Sequence, residues 1–116
     1  MGFKLVRSTE FDQDLDLIHE HLIKSYIELG DAFSEAFSRA ESRIDRIEAD
    51  LDSLAKSPDQ GTLSPDIAPE LRHVTKDRAI FYFQVDDKQQ TIFVLAVFFS
   101  GQDHGRHIQK RLGRSA

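Results

Sequence analysis

The sequence contains no cysteine, which excludes a disulfide framework and any thiolate metal site. Proline is scarce, and all three (Pro58, Pro65, Pro69) fall between Ser57 and Glu70, marking that stretch as a loop. Long apolar runs are missing as well. The longest, Ile92 to Phe99, is far too short to span a bilayer. Met1 to Arg7 carries two positive charges but no apolar run of signal-peptide length. The expectation is a soluble cytoplasmic protein without a membrane partner. Basic charge is lacking in one part only. Residues 1–70 hold 7 basic and 16 acidic side chains, a net of −9, whereas residues 71–116 hold 8 and 4, a net of +4. The overall charge of −5 argues against general affinity for RNA or DNA and leaves room for a local basic surface.

What is present is the composition of an ordinary globular domain, 40% apolar and 30% charged. Its 116 residues suffice for one domain, 1–116, with a modest core. Phe3 to Arg7 reads as a strand. Ser8 and Thr9 offer helix-capping oxygens, with Asp12 placed for a capping box on Thr9. From Phe11 the apolar residues recur at 11, 15, 18, 22, 26 and 29, a helical spacing that Gly30 ends. Asp31 is placed to cap a second helix with the stripe Phe33, Phe37, Ala40, Ile44, Ile47, Leu51, Leu54. So short a connection forces the two helices antiparallel.

Beyond the proline loop the pattern changes to strands. Leu71–Val74 and Arg78–Val85 are joined by a turn at Thr75-Lys76-Asp77, and Thr91–Phe99 follows the polar turn Asp86–Gln90. Ser100-Gly101 breaks the last strand. Gln102–Leu112 reads as a short basic helix capped by Asp103. The order β-αα-βββ-α defines an α+β fold, a helical hairpin on a mostly antiparallel sheet. Simple alternation puts Ile92, Val94, Ala96 and Phe98 on one face of the last strand and Phe93, Leu95, Val97 and Phe99 on the other. Both faces are apolar, so both need cover, and the hairpin can supply only one.

The run Leu71-Arg72-His73-Val74, Arg78-Ala79-Ile80-Phe81-Tyr82-Phe83-Gln84-Val85-Asp86, Ile92 to Phe99 and Ser100-Gly101-Gln102-Asp103-His104-Gly105-Arg106-His107 resembles the C-terminal half of RelE/ParE toxins. Residues 71–112 carry the motif, and the helical hairpin agrees in position and length. The resemblance is nearest to the ParE branch. It implies the toxin half of a type II toxin–antitoxin pair, with no cofactor and with a ParD-like antitoxin as partner. Operator DNA would then be contacted only through the antitoxin. ParE-like members poison DNA gyrase; RelE-like members cut messenger RNA on the ribosome.

Cleavage at a 2′-hydroxyl requires groups that activate the oxygen, stabilise the phosphorane and protonate the leaving oxygen. Candidates are Arg72, His73, Lys76, Arg78, Tyr82, His104 and His107. The pI near 5.4 opposes an approach to ribosomal RNA, and a terminal Leu112-Gly113-Arg114-Ser115-Ala116 lacks the tyrosine typical of RelE. Nuclease therefore ranks second, and an inactive interaction module of the same fold third. For gyrase, the expected contacts are Arg72, Arg78, Gln102, His104, Arg106, His107 and Lys110; for antitoxin, Phe33, Phe37, Phe93, Leu95, Val97 and Phe99.

Plainer roles compete for each residue. Arg72 and Arg78 could pair with carboxylates such as Asp77. Tyr82 suits a core position with its hydroxyl satisfied. His104 and His107 lack a third ligand of suitable spacing for a metal. His19 and His21 read as surface residues, and the phenylalanines as core before groove.

Overall fold

The computed structural model describes residues 2–99 and 104–112. Along the chain come β1 (Lys4–Arg7), α1 (Thr9–Glu28), α2 (Phe33–Asp52), a 3-10 turn (Ser53–Lys56), β2 (Thr62–Leu63), β3 (Leu71–Lys76), β4 (Ala79–Asp86), β5 (Thr91–Phe99) and α3 (His104–Arg111). The sheet order is β1-β5-β4-β3-β2. β1 runs parallel to β5, and every other pairing is antiparallel. This is the expected α+β architecture with one added strand, because Thr62–Leu63 inside the proline loop pairs with β3. Gly61 makes that approach feasible: its φ is +87°, and a Cβ there would lie 2.5 Å from the His73 carbonyl oxygen.

Ser8 alone caps α1, its Oγ accepting from the Phe11 N–H at 3.0 Å. Asp12 makes no capping box on Thr9 and instead accepts from the Arg7 guanidinium. The second helix also starts differently from expectation. Its N-cap is Ala32, which has no side-chain acceptor, and Glu35 supplies the polar contact by accepting from the Ala32 N–H at 3.1 Å. Asp31 takes Arg39 instead, at 2.7 Å.

Phe11, Leu15, Ile18 and Leu22 of α1 and Ala40, Ile47 and Leu51 of α2 form the main core with Phe81, Phe83, Ile92, Val94 and Val97 of the sheet. Burying each such large side chain stabilises by about 1.5–3 kcal/mol. At the N-terminal end of α2 the stripe departs from expectation: Ala36 is buried there, while Phe33 and Phe37 stack on each other and stay exposed.

The first hairpin turn lies later than its composition suggested. Thr75 and Lys76 belong to β3, and the turn is Asp77-Arg78, both at positive φ (50° and 73°). That is the two-residue geometry that matches strand twist and ordinarily calls for asparagine or glycine. Arg43 donates to the Asp77 carbonyl, and Arg46 pairs with the Asp77 carboxylate at 2.9 Å, so α2 holds the turn down.

The alternation expected along β5 is broken once. Tyr82 pairs with Ala96 and Phe83 with Val94, which leaves Leu95 as a bulge. Parity flips there. Ile92, Val94, Val97 and Phe99 pack toward the hairpin, whereas Leu95, Ala96 and Phe98 pack on the opposite face. That second face is covered by Ile108 of α3 and by Ile67 and Ala68 of the loop.

Candidate functional site

β1 pairs with β5 only as far as Arg7 opposite Val94. Beyond that point no strand of the described residues lies beside the outer edge of β5, and its buried N–H and C=O groups need other partners. Side chains supply them. Ser8 donates from Oγ to the Leu95 carbonyl at 3.1 Å, and Asp14 accepts from the Val97 N–H at 3.1 Å. Arg111 completes the set, donating to the Leu95 carbonyl at 3.2 Å and bidentately to Asp14 at 2.7 and 2.8 Å. Its guanidinium also lies over the Phe98 ring. Hydrogen bonding to the Asp14 carboxylate raises the Arg111 pKa further above its ordinary value. The side chain of Asp14 is only 6% exposed and that of Arg111 24%, so an ion pair between a buried carboxylate and a half-buried guanidinium ties α1, the β5 bulge and the end of α3 together.

Neither Asp14 nor Arg111 stood out in the sequence. The available signal was positional: Asp14 lies three residues after Phe11 and four before Ile18, on the buried face of α1. A carboxylate there needs a cationic or N–H partner.

Next to this pair opens a cleft of about 510 Å³ whose lining includes Leu17, His21, Arg78, Phe98, His107 and Arg111. Arg78 comes from the tight turn rather than from a strand, is exposed, and forms no ion pair among the described residues; Asp77 pairs with α2 instead. His107 stacks on Phe98 with ring centroids 5.6 Å apart.

The other end of α3 rests on a tyrosine. The Tyr82 hydroxyl and His104 Nδ1 are hydrogen-bonded at 2.8 Å, and His73 is the cross-strand neighbour of Tyr82, with centroids 5.6 Å apart. His73 is in turn bonded through Nδ1 to Ser64 Oγ at 2.7 Å. Tyr82 is buried as its apolar strand suggested, and desolvation, assisted by the charge of Asp66, raises its hydroxyl pKa above 10.0. A neutral phenol in that position can donate a hydrogen bond but is a poor base at neutral pH.

The fold thus joins Tyr82, His104 and His73, and brings Arg78 and His107 to one cleft. It separates Arg72 from all of them. Arg72 is the cross-strand partner of Phe83, on the hairpin side of the sheet, and donates to the Asp59 carbonyl at 3.2 Å. Lys76 sits at the far end of β3, opposite Ala79. Arg106 and Lys110 are exposed on α3. Gln102 and the proposed cap Asp103 lie outside the described residues.

The apolar residues assigned to a partner also divide. Phe33 and Phe37 are 65% and 42% exposed at the hairpin tip, and Phe93 is 36% exposed. Val97 is buried beneath the hairpin and Phe99 lies half-buried on that side, whereas Leu95 faces the opposite cluster. The bulge is the reason that the four β5 residues do not form one surface. His19 is not free on the surface either, pairing with Glu41 at 3.0 Å.

No protein-family model and no curated protein matches the sequence. Solved structures do match the fold. The chromosomal ParDE toxin–antitoxin system of P. aeruginosa is similar at 21% identity over 84% of this chain and 95% of that chain, with a TM-score of 0.63. The RelBE toxin–antitoxin complex of E. coli is similar at 12% identity over 86% and 99%, with a TM-score of 0.55. The RelBE2 complex of Mycobacterium tuberculosis gives 11% over 85% and 99%, with a TM-score of 0.52. The protein has the RelE/ParE toxin fold. Among the described residues, no helix is long and apolar enough to cross a membrane.

Proposed function

We propose that this chain acts as one domain, the toxin of a type II toxin–antitoxin pair, which arrests growth by poisoning DNA gyrase and is neutralised by a ParD-like antitoxin. The observation that carries the reading is the similarity in fold, over most of both chains, to a ParDE system. The chemistry of the candidate residues supports the gyrase branch over RNA cleavage. Arg72 lies across the sheet from Tyr82, Arg111 is neutralised by Asp14, and the Tyr82 hydroxyl is buried with a raised pKa. Those three do not come together as an exposed set of base, acid and phosphate-binding cation, and the cleft that holds the two nuclease candidates Arg78 and His107 is not lined by Arg72, Tyr82 or His104. Poisoning a target enzyme requires only a contact surface. The exposed cations Arg78, Arg106 and Lys110, with His107, provide one along α3 and the neighbouring turn. The exposed Phe33, Phe37 and Phe93 are the antitoxin contacts that remain accessible.

The test is a supercoiling and plasmid-cleavage assay of gyrase with the purified chain. Linear plasmid that disappears when antitoxin is added is the expected result. Untouched supercoiling together with cut messenger on translating ribosomes would favour the RelE-like nuclease, and inactivity in both assays an inert module of the same fold. Arg106→Glu combined with Lys110→Glu is expected to abolish growth arrest while circular dichroism stays native.

A further inference from the structure

The outward face of α1 carries a shallow groove of about 600 Å³ that involves no other element, lined by Leu17, Glu20, His21, Ile23, Lys24 and Ile27. Leu17 is 63% and Ile27 42% exposed. Glu20 and Lys24 are four residues apart in the order that favours a pair within one helix, yet neither takes part in an ion pair among the described residues. The arrangement has an internal symmetry. Leu17 and Ile27 each lie five residues from Leu22, and Glu20 and Lys24 each lie two residues from it, so the stripe reads apolar, acidic, basic, apolar about its centre.

A two-fold axis that sets one α1 antiparallel to another must make each residue meet the position equally far on the other side of that centre. Glu20 of one copy then comes level with Lys24 of the other, twice, and Leu17 comes level with Ile27, twice. A parallel arrangement would set like charge against like. We propose that α1 is a self-complementary dimerisation face, and that its occupant is a second copy of this chain bound antiparallel across Leu17, Glu20, Lys24 and Ile27. The charges fix orientation and register, and the two flanking apolar pairs supply the burial. The contact is small, so association is concentration-dependent. It does not rest on the gyrase reading; the face lies away from the Tyr82 cluster, and Leu17 and His21 at its edge also line the cleft beside the Asp14–Arg111 pair.

The experiment is sedimentation equilibrium of the full chain across a wide concentration range, at low and at high salt. The wild type is expected to form a dimer that weakens with added salt. Lys24→Glu places four carboxylates at the centre and should raise the dissociation constant at least tenfold, with circular dichroism unchanged. The exchange Glu20→Lys with Lys24→Glu restores complementarity and should bring the dimer back. A wild type that stays monomeric at the highest concentration overturns the proposal, as does a dimer indifferent to Lys24→Glu. A dimer lost in Lys24→Glu and not rescued by the exchange overturns the antiparallel register. A monomer that needs this face only to bind antitoxin would assign the groove to that partner instead.

Discussion

The two faces of the sheet are closed by different physics. Under α1 and α2 the seal is hydrocarbon, with Phe11, Phe81, Phe83, Ile47 and Leu51 all at 1% exposure or less. Under α3 the apolar cluster is smaller, Ile108 is the one fully buried residue of the helix, and polar pairs hold its ends: Tyr82 with His104 at one end, Asp14 with Arg111 at the other. Hydrocarbon burial is additive and tolerant of small shifts. A buried ion pair is intolerant, because removing one partner strands the other. The hairpin face should therefore set global stability, and the α3 face should behave as a separately lost element.

Phe83→Ala tests the first half of that contrast. It removes a fully buried ring from the main core and should cost about 3–5 kcal/mol, seen as one cooperative transition shifted to lower denaturant. Asp14→Ala tests the second half. It leaves Arg111 without its carboxylate and the Val97 N–H without an acceptor, at a cost of about 3 kcal/mol. Hydrogen exchange should speed up in α3 and around the bulge before it does in α2. Uniform loss of protection across the molecule in Asp14→Ala would dissolve the distinction between the faces. Asp14→Asn, which retains an oxygen for Val97, should fall between wild type and alanine.

The element order was readable because each element has its own period: four and three in α1 and α2, a polar turn at Asp86–Gln90, prolines confined to one loop. What escaped was set by the third dimension. The Leu95 bulge leaves no trace in a strand whose residues are all apolar, so strict alternation assigned Ala96 and Phe98 to the wrong side. The Asp77-Arg78 turn was misplaced because Arg78 is a poor residue for φ +73° and reads as strand. Of the candidate site, Tyr82 meets His104 and His73, His107 meets Arg78 in the neighbouring cleft, and Arg72 drops out for reasons of strand parity. Asp14 and Arg111 pair across 97 positions, and that pairing depends on where β1 stops.

The strained turn yields a smaller effect that separates stability from function. Arg78→Gly removes the left-handed penalty of a side chain and should stabilise by about 1 kcal/mol, read as a rise in Tm. If Arg78 contacts the target as proposed, growth arrest should fall in the same variant. A more stable protein of undiminished toxicity would remove Arg78 from the contact surface and leave α3 alone.

The finest probe of the α3 face is Tyr82. Replacing it with phenylalanine removes the hydroxyl that bonds His104, a change worth about 1 kcal/mol, and loosening should be confined to the first turn of α3. The pH dependence gives a second readout. Burial raises the folded-state pKa of the hydroxyl above its ordinary 10.0, so the unfolded chain ionises first. The stability held by the protonated phenol is whole below pH 10 and drains away as pH climbs through the higher folded-state value. In a Tyr26→Phe background Tyr82 is the sole tyrosine, and its phenolate absorbance should rise later than that of a free tyrosine. Urea midpoints taken between pH 9 and 11.5 should fall more steeply in that background than in the Tyr26→Phe, Tyr82→Phe double variant, because lysine ionisation is common to both. Equal slopes would mean that the hydroxyl is hydrated in the folded protein, and the His104 end of α3 would then be held by Ile108 and the Phe98–His107 stack without it.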